Sequence, residues 1–141
     1  MQAKAIPLML SLIPSVIKGL TRDDLDHIKR IVGATFPTVG QIDPMQLNSW
    51  ITSGEKILLI DVRTPREYKV SHLRGAINLT SASEILNAID RLKPARTVVY
   101  CAVGFRSARV AASVPREIKV FNLEGSIYGW VNCGLPVFKN G

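Results

Sequence analysis

The chain has 141 residues, is 47% hydrophobic and carries a formal net charge of +7. This length suits one domain with a single core, and the composition is typical of a soluble globular protein. Its two cysteines, Cys101 and Cys133, form neither a CxxC pair nor a disulfide framework, which favours free thiols and a cytoplasmic location. Together with His27 and His72 they lack the close paired spacing of zinc sites, so we expect no metal and no cofactor.

The positive charge is not of the kind that predicts a nucleic-acid partner, because the basic residues lack interleaved aromatic residues or a recognised motif. Between positions 91 and 116 there is no acidic residue. Basic residues around a cleft attract anions, so we expect a small anionic substrate or an acidic partner surface. The basic residues of this run, which lie on both sides of Cys101, are Arg91, Lys93, Arg96, Arg106, Arg109 and Arg116.

The N-terminal part of the chain, residues 1–37, is predicted to be a leader followed by an amphipathic helix. Ile6 to Leu20 is largely apolar but falls short of the roughly 20 residues that span a bilayer. A loosely ordered leader is therefore expected, and contact of this segment with a membrane surface is the alternative that we favour less. Thr21 to Val32 has the pattern of a capped helix, with Gly33 beyond its end and a buried side formed by Leu25, Ile28, Ile31 and Val32.

Helices and strands alternate in the rest of the chain. Capping residues and prolines mark several helix starts, and proline or glycine marks several ends. The alternation predicts an α/β domain, with a mostly parallel central sheet and helices on both faces. The predicted elements are a helix from Asp43 to about Ile51, a strand over Ile57–Ile60, a short helix begun by Thr64–Glu67, a helix begun by Ser81–Glu84 and stopped by Pro94, a strand over Thr97–Tyr100, a helix of about two turns within Ser107–Arg116, a strand over Ile118–Phe121, and a helix over Gly125–Asn132.

Cys101 follows directly on the apolar strand Thr97–Tyr100, where ligand sites lie in parallel sheets. A loop here can point its backbone N–H groups at one centre and add the positive end of the following helix. Such surroundings favour the thiolate, which is the nucleophilic form of cysteine. Gly104 supplies a residue without the constraints of a Cβ. The hexapeptide Cys101–Arg106 therefore predicts a nucleophile in an anion-binding loop.

Several motifs follow one another in a fixed order along residues 38–138. They are Leu58–Tyr68, Ser71–Leu79, Cys101–Arg106 and Val120–Ile127, followed by Trp130 and Gly134–Val137. Their order resembles that of the rhodanese family of single-domain sulfurtransferases. The resemblance covers nearly all of residues 38–138, so the rhodanese-like domain is predicted to occupy residues 38–141.

The resemblance implies that Cys101 carries a persulfide. It would take sulfane sulfur from a small anionic donor, such as thiosulfate or a mercapto acid, and pass it to a thiophilic acceptor: cyanide, a thiol or an acceptor protein. Arg106 is expected to point back across the loop and stabilise the bound anion. The residues implied to bind substrate are Ala102, Val103, Gly104, Phe105, Arg106 and Ser107.

Other positions are implied to support the site. Asp61 and Arg63 match family residues that support the active-site region, whereas His72 is expected to be structural because the mechanism needs no imidazole base. Trp130 and Cys133 are expected to pack the core under the last helix.

The sequence also departs from the family pattern at small residues. Ser71 and Ser126 stand where the family usually has glycine. Ala102 stands where members efficient with thiosulfate often have arginine, which leaves the donor open.

Two other function classes compete with sulfur transfer. Related phosphatases and arsenate reductases use the same fold, but their loops carry one residue more than the four between Cys101 and Arg106. A non-catalytic binding or sulfur-carrier module is the other alternative. Inactive relatives often lack the cysteine, so its presence favours an enzyme.

Overall fold

The computed structural model describes residues 3–6 and 20–140 of the chain. Residues 7–19, which make up most of the predicted leader, lie outside the described part. The elements in chain order are β1 (Ala3–Ile6), α1 (Arg22–Thr35), β2 (Gly40–Ile42), α2 (Pro44–Thr52), β3 (Ile57–Asp61), α3 (Pro65–Val70), β4 (Ile77–Asn78), α4 (Ala82–Leu92), β5 (Arg96–Tyr100), α5 (Phe105–Ala112), β6 (Phe121–Leu123), α6 (Ser126–Asn132) and β7 (Val137–Asn140).

The central sheet has five strands in the order β2-β6-β5-β3-β4, and every pairing within it is parallel. Its longest ladder joins β3 to β5, from the pair Ile57 and Arg96 to the pair Asp61 and Tyr100. A separate two-stranded antiparallel sheet joins β1 to β7. The prediction of a mostly parallel central sheet is confirmed.

Alternate side chains of the buried strands form cores on opposite faces of the sheet. On one face, Leu59 packs with Leu47 of α2 and Ile127 of α6. On the other face, Ile60 packs with Ile85 of α4, and the same cluster includes Ala111 of α5. The period of two along β3 thus sends neighbouring residues into different cores. This arrangement explains the continuous apolar run at Ile57–Ile60 and confirms helices on both faces.

The strand order reverses between β3 and β5, at the centre of the sheet. From β3 the chain moves to β4 on one side and then returns to β5 on the other side. Ligand sites of parallel α/β sheets lie outside the strand ends where the order reverses in this way. Cys101 follows β5 at this point, and the end of β3 at Asp61 is its neighbour.

Three element boundaries differ clearly from the prediction. Helix α5, expected within Ser107–Arg116, begins two residues earlier and covers Phe105–Ala112. The strand expected over Ile118–Phe121 is β6, which covers Phe121–Leu123. Ile118 instead belongs to a turn, in which its N–H donates to the Pro115 carbonyl at 3.0 Å. The N-terminal helix continues past Gly33 to Thr35. Ile31, expected on the buried side of this helix, is 44% exposed.

Helix α1 packs against the loop that contains Cys101. Leu25 is buried in a cluster with Ala102 of the loop and Tyr128 of α6. The Tyr128 hydroxyl donates to the Leu20 carbonyl at 2.7 Å, which fixes the start of the helical segment. At the other end of α1, the Phe36 ring meets the Phe105 ring edge to face, with 5.3 Å between centroids. The segment upstream of the parallel sheet therefore covers one side of the loop.

None of the helices in the described part of the chain has the length and apolarity needed to cross a membrane.

Replacing Leu25 by alanine should lower the free energy of unfolding by about 2–5 kcal/mol, the usual cost of truncating a buried leucine. The control is Ile31→Ala on the exposed side of the same helix, which should change it by less than about 0.5 kcal/mol. Urea unfolding measures both. Equal effects of the two substitutions would contradict the packing of α1 on the loop.

Candidate active site

The sulfur of Cys101 is buried, since the residue is only 1% exposed, and it is surrounded by hydrogen-bond donors. The backbone N–H of Gly104 points at Sγ with an N···S distance of 3.1 Å. The Ser107 hydroxyl lies 3.3 Å from the same atom. Both donors come from the start of α5, whose dipole also favours negative charge there. This arrangement can stabilise a thiolate, or the outer sulfur of a persulfide, without a metal or a base.

The loop backbone is held in this shape from the other side by α6. The carbonyl of Cys101 accepts from the N–H of Ile127, and the carbonyl of Ala102 accepts from the N–H of Tyr128, both at 3.1 Å. Gly104 then takes a φ of +112°, which a residue with a Cβ adopts only with strain. This turn aims its N–H back at the sulfur and starts α5. Gly104 is therefore required by its backbone angle.

Asn122 connects the loop to the sheet. It is fully buried in β6, and its Nδ2 donates to the Gly104 carbonyl at 3.0 Å and to Gln41 Oε1 at 2.9 Å. The oxygen Oδ1 lies 2.6 Å from the Ser107 hydroxyl. The single proton of this hydroxyl can serve either Asn122 or Cys101 Sγ, so Asn122 positions Ser107 beside the sulfur.

Ser126 is a second buried hydroxyl at the loop. Its Oγ accepts from the N–H of Cys101 at 3.0 Å and donates to the Leu123 carbonyl at 3.0 Å. Ser126 has a φ of +50°, and the preceding Gly125 has a φ of +72°. Two successive left-handed residues explain why glycine suits both positions. In this chain, Ser126 adopts a strained backbone angle, and its hydroxyl accepts from the N–H of Cys101 and so fixes the backbone there.

Arg106 is engaged by Glu67. Its Nη1 and Nη2 donate to the two carboxylate oxygens at 3.1 and 3.2 Å. Burial alone would raise the pKa of Glu67, but hydrogen bonding and the charge of Arg106 outweigh it and lower that pKa. Hydrogen bonding to Glu67 raises the pKa of Arg106, with a smaller contribution from Cys101. The guanidinium of Arg106, the last residue of the loop, thus binds a carboxylate of α3.

Asp61 and Arg63 form a buried ion pair at the end of β3. Arg63 Nη2 donates to Asp61 Oδ2 at 2.7 Å and to the Ser71 carbonyl at 2.5 Å. Beside them, the Tyr100 hydroxyl accepts from the N–H of Leu73 at 3.0 Å. Burial and the charge of Asp61 raise the pKa of Tyr100 well above its ordinary value, so its hydroxyl stays neutral. The pair joins β3 to the segment that follows α3, one strand away from Cys101.

Three further predicted residues lie away from the sulfur. His72 is buried, with its ring stacked on Tyr68 and Nδ1 at 2.8 Å from the Tyr68 carbonyl. Trp130 is buried in the core under α6, and its Nε1 donates to the Pro136 carbonyl. The prediction that Cys133 packs this core is wrong. It is exposed at the C-cap of α6, because the helix ends there and the chain turns outward.

The basic run of residues 91–116 does not surround the loop in space. Arg96 begins β5, whereas Cys101 follows its end, and a strand of five residues spans about 16 Å. Arg96 pairs with Glu55 at 2.9 Å, and its guanidinium lies 4.0 Å from the centre of the Trp50 ring. The expectation of a cleft ringed by this run is therefore wrong. Of its members, Arg106 and Arg109 belong to α5, which begins at the loop.

The comparisons with known proteins agree with this geometry. The sequence model of the Rhodanese-like domain family matches residues 43–133. The chain belongs to the rhodanese-like domain family. The probable adenylyltransferase/sulfurtransferase MoeZ of Mycobacterium tuberculosis is 36% identical over 67% of this chain, which spans 25% of that protein. A sulfurtransferase of Allochromatium vinosum is 31% identical over 70% of this chain and 94% of its own length.

Solved structures confirm the rhodanese fold. The crystal structure of a thiosulfate sulfurtransferase from Pseudomonas aeruginosa has a TM-score of 0.64 and 27% identity, and covers 72% of this chain and 20% of that chain. A rhodanese-related protein from Thermoplasma volcanium has a TM-score of 0.57 and 27% identity, and covers 70% of this chain and 96% of its own.

Sequence reasoning missed three residues of this rhodanese-like site. In the sequence, Glu67 predicts only the start of a short helix, and Asn122 has no predicted role. Ser126 was noted as a small replacement for glycine. Two sequence signals could have drawn attention to these residues. Asn122 is a polar residue next to a predicted strand, and Ser126 is a serine where the family usually has glycine. Neither reveals that a side chain reaches the loop.

The hydroxyl of Ser126 can be tested by two substitutions that remove it. Ser126→Ala keeps the strained φ and leaves the buried N–H of Cys101 without a partner, so we expect a loss of about 1–3 kcal/mol in unfolding free energy. Ser126→Gly loses the same bond but relieves the strain, and it should be more stable than the alanine variant by about 1 kcal/mol. Urea unfolding measures both. An alanine variant as stable as the wild type would contradict this role.

Proposed function

We propose that this protein is a sulfurtransferase that carries sulfane sulfur as a persulfide on Cys101. The observation that carries the proposal is the buried sulfur of Cys101 facing the Gly104 N–H and the Ser107 hydroxyl at the start of α5. The sulfurtransferase names of its relatives support the same chemistry. The donor would be thiosulfate or a mercapto acid, and the acceptor cyanide, a thiol or an acceptor protein.

With thiosulfate as donor, the Cys101 thiolate attacks the outer sulfur. The sulfur–sulfur bond of the donor breaks, and sulfite leaves with the bonding electron pair. The product is a persulfide anion whose outer sulfur lies near the donors that faced the thiolate. An acceptor nucleophile then attacks this outer sulfur, and the Cys101 thiolate leaves. The same fixed dipoles stabilise the charge before and after each transfer, so little reorganisation is required.

The other loop residues have defined places in this proposal. Ala102, Val103 and Phe105 form an apolar wall, since Ala102 and Val103 pack in the α1 cluster and Phe105 stacks edge to face with Phe36. Arg106, the last residue of the loop, supplies a positive charge for the anionic donor. Asp61 and Arg63 would act indirectly, by fixing the end of β3 beside the loop.

Replacing Cys101 by serine should abolish sulfur transfer from thiosulfate or mercaptopyruvate to cyanide. A hydroxyl is a far poorer nucleophile without a nearby base and cannot store sulfane sulfur. The matched control is Cys133→Ser, which changes the exposed cysteine and should keep full activity and stability within about 0.5 kcal/mol of the wild type. Mass spectrometry after incubation with donor should find one added sulfur on the Cys101 peptide.

The alternative chemistry can be assayed with the same proteins. A phosphatase of this fold would hydrolyse an aryl phosphate, and its loop would accommodate a tetrahedral oxyanion. Efficient hydrolysis by the wild type, with no persulfide formed on Cys101 after donor treatment, would contradict the proposal. Persulfide formation without release to any acceptor would instead indicate the sulfur-carrier alternative.

A further inference from the structure

The charge that faces an incoming donor is set by a contact between α3 and α5. The carboxylate of Glu67 binds the guanidinium of Arg106 through two parallel hydrogen bonds of 3.1 and 3.2 Å. The Arg106 side chain is 48% exposed and that of Glu67 is 22% exposed, so the pair lies at the surface beside the loop. A negative charge is thus held at the place where the proposed reaction brings an anion.

Other positive charges near the loop are engaged in contacts of their own. The side chain of Lys29 in α1 lies against Gly125 at the start of α6, and Lys29 pairs with Asp26 at 3.7 Å. Arg63 is buried and committed to Asp61 and the Ser71 carbonyl. Residue 102 of the loop is alanine. Arg109 lies one turn farther along α5, where its guanidinium covers the Phe105 ring with 5.2 Å to the centroid. Arg106 is the cation that the segment Cys101–Arg106 itself contributes, and Glu67 offsets its charge.

The carboxylate of Glu67 is not required by its other role. Glu67 is the N3 residue of a capping box, in which it accepts from the N–H of Thr64 at 3.3 Å. Glutamine serves this position as well as glutamate. The negative charge of Glu67 is therefore not needed for the cap, and its effect is to offset the positive charge of Arg106.

We infer that Glu67 sets the donor specificity of the site: by pairing with Arg106 it favours donors with a single negative charge, such as a persulfide or a thiosulfonate, over the thiosulfate dianion. This inference rests on the proposed function, because it assumes that Cys101 receives sulfur. Repulsion from the carboxylate scales with donor charge, and a dianion experiences it twice as strongly as a monoanion.

The inference can be tested by comparing two sulfur donors that differ chiefly in their negative charge. Thiosulfate and methanethiosulfonate both present an outer sulfur bonded to a sulfonyl group. In each case the Cys101 thiolate bonds to the outer sulfur and the donor's sulfur–sulfur bond breaks. The electron pair leaves on sulfite from thiosulfate, or on methanesulfinate from methanethiosulfonate, and Cys101 keeps a persulfide anion.

The test is Glu67→Gln, measured as kcat/KM for both donors at low ionic strength with cyanide as acceptor. We expect a rise of about tenfold for thiosulfate and about threefold for methanethiosulfonate, the scale of removing one charge near a surface site. The ratio of the two values is the decisive quantity, because partial unfolding lowers both equally. An unchanged ratio would overturn the inference.

The matched control is Glu84→Gln. Glu84 occupies the first turn of α4, where its carboxylate accepts from Ser81 and Thr80. The substitution makes the same change in net charge at another cap, and it should leave the donor ratio unchanged. An equal rise in the ratio for the two variants would overturn the inference in favour of a general charge effect.

A binding measurement separates this inference from the proposed function. Sulfate and methanesulfonate react with no thiol, and binding of either anion at the loop is measured as protection of Cys101 from alkylation by iodoacetamide. In Glu67→Gln the concentration for half protection should fall by about tenfold for sulfate and about threefold for methanesulfonate. If the wild type transfers no sulfur from either donor, the proposed function fails, and with it the inference. If it transfers sulfur while sulfate protection is the same in both proteins, only the inference fails.

Discussion

The proposed function requires a negatively charged sulfur to be held out of water at the end of a buried strand. Burying a charge is costly unless fixed dipoles replace the solvent. At Cys101 those dipoles are the Gly104 N–H and the Ser107 hydroxyl, with the start of α5 behind them. They are effective only while the loop keeps its shape. Loop shape, more than any single charged residue, is therefore the constraint that the neighbouring elements satisfy.

Contacts from three directions maintain that shape. Backbone N–H groups of α6 donate to the carbonyls of Cys101 and Ala102. Asn122 binds the Gly104 carbonyl from the central sheet, and α1 covers the apolar side through Leu25. The buried Asp61–Arg63 pair adds stiffness to the adjacent strand end, where breaking it would leave an uncompensated charge. The site thus depends on elements spread over most of the described chain.

The sequence was sufficient to predict the fold class and the position of Cys101 at the end of a strand, because helix starts and the strand before Cys101 have local signals. Capping residues such as Thr64 and Asp43 mark helix starts at their own positions, and the run before Cys101 predicts its strand. The shift of β6 has a different cause. Asn122 is disfavoured in a strand by propensity, but it lies there because its amide bridges Ser107 and Gly104. Such long-range contacts override a local preference.

The electrostatics of the site were predicted less well, because charge neutralisation depends on contacts between residues far apart in sequence. Arg106 and Glu67 are separated by 39 positions, and nothing in either local pattern links them. Arg96, by contrast, lies close to Cys101 in sequence but is held at the opposite end of β5 by Glu55 and Trp50. The charge of Arg96 is therefore remote from the loop despite its closeness in sequence. In the proposed mechanism, an anion near Cys101 meets the backbone dipoles of the loop and the Arg106–Glu67 pair. On our inference, the carboxylate of that pair, rather than the net charge of the protein, determines which donors are favoured.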